Sequence, residues 1–141
     1  MNTLASDLYQ YMATDTALRA YVGAKIYPQM AQENATLPYI VYSLITEERQ
    51  QTLSLARISP YKTDWRFDCW GNSQAEADML AQAVQERLQP ASAPILNVRI
   101  GETVFHGIFF PFRIDQLVVP EDGTDAPIFG ARVTATIWAE E

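Results

Sequence analysis

Residues 61–71, Tyr-Lys-Thr-Asp-Trp-Arg-Phe-Asp-Cys-Trp-Gly, decide the fold class. Thr63, Trp65, Phe67 and Cys69 alternate with Asp64, Arg66, Asp68 and Trp70, and the two-residue period of a strand sends the two sets to opposite faces. The first set is the core face. Directly afterwards Ser73-Gln74-Ala75-Glu76 forms a capping box, in which the Ser73 hydroxyl accepts from the Glu76 amide while the Glu76 carboxylate turns back to Ser73. Ala77, Leu80, Ala81, Val84 and Leu88 then recur at three- and four-residue steps until Pro90 stops the run, which predicts an amphipathic helix. Small Ala77 and Ala81 let that helix lie close to a sheet.

Upstream, Leu4, Leu8, Tyr11 and Met12 have helical spacing, and Leu18, Tyr21 and Val22 repeat it after Thr14 and Asp15. This reads as two short helical segments or one interrupted helix. Asp15 suits an N-cap, and Gly23 supplies the left-handed residue that ends the segment. Lys25 to Pro28 is extended, since proline keeps its predecessor out of the α region. A polar loop runs through Asn34, and Pro38 opens the β-branched and aromatic strand Tyr39 to Ile45. Charged Glu47 to Gln51 and the alternating Leu53, Leu55 and Ile58 predict a long hairpin.

Downstream, Ile95–Ile100, Val104–Phe109, Phe112–Val119 and Phe129–Trp138 are predicted strands punctuated by Gly101, Pro111, Pro120 and Gly123. In the last, Phe129, Ala131, Val133, Ala135 and Ile137 alternate with Gly130, Arg132, Thr134, Thr136 and Trp138, the pattern of an antiparallel sheet with one wet face. The expected fold is α+β: a mainly antiparallel sheet with two helices packed on one face, in a single domain spanning residues 1–141.

Composition narrows the function. Ten basic against seventeen acidic residues give a net charge of −7, which removes the long-range attraction that phosphate backbones and anionic lipid require. Tight nucleic-acid binding and membrane association are not expected. The single cysteine, Cys69, sits on the predicted core face, and the N-terminal stretch is neither basic nor followed by an apolar run, so neither a disulfide nor a signal peptide is expected. The six glycines form no phosphate-cradling motif, and the chain has one histidine, His106, without a nucleophile elbow. Few parts remain for catalysis, so no enzyme activity, metal or cofactor is expected. Glu121, Asp122 and Asp125 surround Gly123 without the spacing of a calcium loop and read as a solvated hairpin tip. Trp70 and Trp138 fall on the wet face, where they form a partner surface or are covered by a second helix or the N-terminal segment.

Taken in order, Leu18-Arg19-Ala20-Tyr21-Val22-Gly23-Ala24-Lys25-Ile26-Tyr27-Pro28, Leu37-Pro38-Tyr39-Ile40-Val41-Tyr42, and Phe67-Asp68-Cys69-Trp70-Gly71-Asn72-Ser73 leading to Glu76-Ala77 and Leu88 resemble the tail completion family of tailed bacteriophages, also described as tail terminator or tail-to-head joining proteins. The resemblance spans residues 3–88, and the remainder matches as a β-rich segment of suitable length. It implies a non-enzymatic structural protein, assembled in the host cytoplasm, that forms a ring, typically a hexamer, at the head-proximal end of the virion tail. Its implied partners are further copies of itself, the tail tube protein and the head-tail connector protein. No catalytic residue is carried over from the family. On physical grounds Glu47, Glu48, Arg49, Arg57, Trp70 and Trp138 are the candidate oligomer or partner contacts, and Glu121, Asp122 and Asp125 the candidate channel-facing acids. Two other readings stand beside this one: a minor tail-assembly component at another position, and a small hydrolase centred on His106.

Overall fold

The computed structural model describes residues 3–23, 25–29, 36–51, 57–89, 98–120 and 127–140. Helices α1 (Thr3–Ala13) and α2 (Thr16–Val22) precede strands β1 (Ile26–Pro28), β2 (Tyr39–Gln51) and β3 (Arg57–Gly71); helix α3 (Gln74–Leu88) and strands β4 (Val98–Ile100), β5 (Thr103–Pro120) and β6 (Pro127–Glu140) follow. The strands form one six-stranded sheet in the order β1-β2-β3-β6-β5-β4. Strand β1 runs parallel to β2 and every other neighbouring pair is antiparallel, so the sheet is mixed. In the parallel pair Ile26 lies beside Ile40 and Pro28 beside Tyr42.

The alternation in β3 is realised on both faces. Trp65, Phe67 and Cys69 are fully buried or nearly so, and their register partners Ala135, Val133 and Ala131 on β6 are buried with them. Polar atoms on this face are satisfied internally: the Trp65 indole N–H donates to the Thr63 hydroxyl at 2.9 Å, and that hydroxyl donates to the Ile137 carbonyl at 2.9 Å. Three helices, rather than the two expected, contribute to the same buried cluster: Leu4, Leu8 and Met12 from α1, Leu18 and Val22 from α2, and the complete Ala77-Leu80-Ala81-Val84-Leu88 stripe from α3. The N-terminal segment is broken in two by its caps. The Leu18 amide donates to the Asp15 carboxylate at 3.0 Å, starting α2 separately from α1. Gly23 ends α2 with φ +60° and ψ −120°, a positive φ outside the left-handed helical well.

The start of α3 follows the capping box with one displacement. The Ser73 hydroxyl accepts from the Glu76 amide at 3.2 Å, but the Glu76 carboxylate passes Ser73 and accepts from the Asn72 amide at 2.8 Å and its side-chain amide at 3.2 Å. Gly71 makes room for this, because a Cβ there would lie 3.0 Å from Glu76 Oε1. Two further expectations are corrected. Pro111 does not separate two strands: β5 is continuous from Thr103 to Pro120, and the ladder to β6 shifts register between Phe109 and Phe112. An irregularity is where a missing N–H costs no ladder bond. Tyr21, read as part of the apolar set of α2, is 38% exposed because α2, about two turns long, shows Leu18 and Val22 to the core instead.

Gly101 closes the β4–β5 turn at φ +63°. The Asp7 carboxylate of α1 sits against it, accepting from the Glu102 amide at 3.1 Å and the Thr103 hydroxyl at 2.6 Å, and so ties α1 to that corner of the sheet.

Candidate functional site

The face of the sheet turned away from the helices carries the alternate residues of β3 and β6, and its centre is a ladder of charge-assisted contacts. The Asp64 carboxylate accepts from the Thr136 hydroxyl at 2.7 Å on one side and the Thr46 hydroxyl at 2.8 Å on the other. Burial pushes the Asp64 carboxyl up, but the two hydroxyls and the nearby Lys62 ammonium outweigh it and hold it below the usual carboxylate range. Four residues along β3, Arg132 Nε donates to Asp68 Oδ1 at 2.7 Å, and Arg66 approaches the other oxygen at 3.5 Å. Side-chain contacts thus brace this face from β2 across β3 to β6.

The predicted interface residues divide between the two ends of this face. At one end Glu48, Lys62 and Trp138 form a row across β2, β3 and β6, with Glu48 and Lys62 ion-paired at 3.6 Å and Trp138 half-buried. Glu47 is exposed and pairs with Thr63, which puts it on the other, helix-packed side of the sheet. Arg49 lies at the register shift between Glu48 and Gln50, and Arg57 pairs with Gln51. Trp70 is at the far end of β3, paired with Tyr39 and Gly130. It is half-buried, and the sheet itself shields it, since the ring lies over Gly130. Glu121, Asp122 and Asp125 lie outside the described residues.

His106 is the extra residue where β5 shifts register between Phe105 and Gly107, and its Nε2 lies 3.0 Å from Glu140 Oε2. A carboxylate there orients the ring. Cys69 is fully buried on the opposite, helix-packed face. Among the described residues no three histidine, cysteine or acidic side chains gather closely enough to hold a metal ion, and no helix is long and apolar enough to cross a membrane.

One surface was not foreseen. Asp15, Ala17 and Tyr21 of the α2 region and Asp78, Met79, Gln82, Ala83, Glu86 and Arg87 of α3 line an open groove of about 610 Å³ on the outside of the helical layer. Its floor is apolar and accessible, with Met79 50% exposed. The signal was present: Met79 stands outside the buried stripe of α3, where a solvated helix face calls for a polar residue.

Comparison with known proteins agrees with this architecture. None of the curated proteins compared matches the chain. A chain from a solved structure described as the virion of a native gene transfer agent particle superposes with a TM-score of 0.64 at 18% identity, covering 98% of this chain and 95% of that one. A second solved chain, whose name carries no functional description, gives a TM-score of 0.53 at 12% identity over 96% of both chains. At these identities the likeness speaks for the fold. Residues 6–113 match the family described as Tail completion protein gp17, reaching from α1 through the α3 layer into β5, and the chain therefore belongs to that family of structural phage tail proteins.

Proposed function

We propose that this protein completes a phage or phage-like tail by forming a closed ring, a hexamer in the simplest case, at the head-proximal end, where it joins the tail tube protein to the head-tail connector protein. The observation that carries the reading is membership of the tail completion family over residues 6–113. The resemblance in fold to a chain of a gene transfer agent virion is consistent with a place in such a particle. A ring needs each subunit to present two different surfaces, one for each neighbour. The protruding end of the β2–β3 hairpin, bearing Glu47, Glu48, Arg49 and Arg57, is one; Trp138 extends the same end of the sheet. Glu121, Asp122 and Asp125 are assigned to the lumen, where carboxylates repel a passing duplex and keep it from sticking. Assembly takes place in the host cytoplasm, and ring closure waits for the tail as template where the subunit interface alone is too small.

Cryo-electron microscopy of assembled tails is the test. The expected result is a ring of this chain between tube and connector. Its absence from the head-proximal end, with the chain at another tail position, would replace the terminator role by that of another tail-assembly component.

A further inference from the structure

The groove between α2 and α3 combines an apolar track with charge of one sign. Ala17 and Tyr21 lie one turn apart on α2, Met79 and Ala83 one turn apart on α3, and Tyr21 and Met79 are exposed. Carboxylates mark both ends of the α3 wall, since at 1.5 Å per residue Asp78 and Glu86 stand about 12 Å apart along the helix. With Asp15 they set three acids against one base in the groove, Arg87. That guanidinium is already engaged, with Asp15 at 3.8 Å, the Tyr11 carbonyl at 2.9 Å and the Thr14 hydroxyl at 3.3 Å. Glu86 is exposed and makes no hydrogen bond or ion pair among the described residues.

We infer that this groove seats a basic amphipathic helix of a second protein, its apolar stripe on Tyr21, Met79 and Ala83 and its lysines or arginines against Asp78 and Glu86. Charge complementarity selects the sign of the occupant, and the geometry selects its form. An extended segment would need backbone partners that the flanks of two helices do not offer, whereas a helix satisfies its own backbone and meets the walls with side chains alone. The helices of a second copy have the wrong charge. Helix α1 carries Asp7 and no base, α2 carries Arg19 alone, and α3 carries Glu76, Asp78 and Glu86 against Arg87. The occupant is therefore a different chain, and the assignment, which concerns the outside of the helical layer, does not depend on ring closure.

A photo-crosslinking amino acid replacing Met79, and in a second variant the exposed Gln82, tests this in assembled particles, with circular dichroism verifying that each purified variant is folded. The expected product joins either position to a protein other than this chain, within a segment that holds lysine or arginine and whose apolar residues recur at three- and four-residue steps. Adding Glu86→Lys should lower its yield about three- to tenfold. A crosslink to another copy of this chain, to a segment without that pattern, one indifferent to Glu86→Lys, or none from either position overturns the inference. The purified full chain gives a second readout. A synthetic amphipathic helix of leucine and lysine, about 15 residues long, should shift the amide resonances of α2 and α3, and its leucine–glutamate counterpart should leave them in place. Shifts confined to other elements, equal shifts with both peptides, or none with either would count against the groove. A ring seen by microscopy is compatible with every one of these outcomes, so the two readings stand or fall separately.

Discussion

Tyr11 and Arg87 hold each other by a reciprocal pair of hydrogen bonds across 76 residues of sequence: the Tyr11 hydroxyl donates to the Arg87 carbonyl at 3.0 Å, and Arg87 Nε donates to the Tyr11 carbonyl at 2.9 Å. The guanidinium also lies 3.7 Å from the centroid of the Tyr11 ring and reaches the Thr14 hydroxyl at 3.3 Å. One side chain therefore fastens the C-terminal ends of α1 and α3 and, through Asp15, the start of α2. Burial raises the Tyr11 phenol above its ordinary range, so it remains a donor at neutral pH although Arg87 pulls the other way. Loss of Arg87 leaves the Tyr11 carbonyl without this donor. Arg87→Ala is expected to cost about 1–3 kcal/mol, with Arg87→Lys recovering only part because an ammonium lacks the planar fork. Urea unfolding of the two variants against the parent checks this, and Tyr11→Phe, which keeps the ring, should cost less than either.

Trp70 and Gly130 make a second pair in which size is decisive. A Cβ at position 130 would come within 2.6 Å of Trp70 Cζ3, and the indole has the adjacent strand beneath it. Gly130→Ala is expected to destabilise by about 1–3 kcal/mol through overpacking. In a Trp70→Ala background the penalty should vanish or reverse, since alanine at 130 then fills space that the ring has left. The double-mutant cycle measured by denaturant unfolding isolates this coupling, and an unchanged penalty in the Trp70→Ala background would place the strain elsewhere.

Asp64 gives the fold an acid-sensitive component. Its folded-state pKa lies below the unfolded value of 3.8, so the native state binds this proton less readily than the unfolded chain does. The associated stability is present above the unfolded pKa and is lost as pH falls through the folded one. Asp64→Asn should therefore be less stable than the parent at pH 7, with the gap closing as pH falls below about 3.8. Urea midpoints across that range read it directly. A gap that widens toward low pH would mean that burial, not the Thr46 and Thr136 hydroxyls, governs this carboxyl.

Periodicity made the central layer legible. The β3 alternation and the α3 stripe each report one face of one element, and both faces are where the sequence puts them. What depends on two distant elements was not legible. The groove exists only because α2 and α3 meet through Arg87, Tyr11 and Asp15, and no local pattern pairs residues so far apart. The same holds for the parallel β1–β2 edge, whose partner strand is chosen by the sheet as a whole. Pro111 misled for a different reason: proline usually ends a strand, and only the register of the opposing β6 reveals a place in β5 that tolerates it. The candidate contacts were found as residue types, but their division between the two ends of β3 required the ladder.

DNA should leave this protein alone. Its net charge is −7, and several of the cations that could oppose that field are committed: Lys62 to Glu48, Arg66 and Arg132 to Asp68, and Arg87 to Asp15. Lys25 donates to the Thr36 carbonyl at 3.0 Å. With these cations engaged, fewer basic side chains are available to displace counterions from phosphates, and with little counterion release non-specific affinity falls to or below the weak end of its usual range, about 10⁻⁴ M. A ring of the proposed kind gains from this, because a duplex that does not adhere slides. Titration of the purified protein with short duplexes at low salt should show no saturable binding below about 100 µM, and Asp68→Asn, which frees Arg66 and Arg132, should move the result only slightly. Submicromolar affinity that weakens steeply with added salt would instead reveal a basic stripe concentrated on one surface.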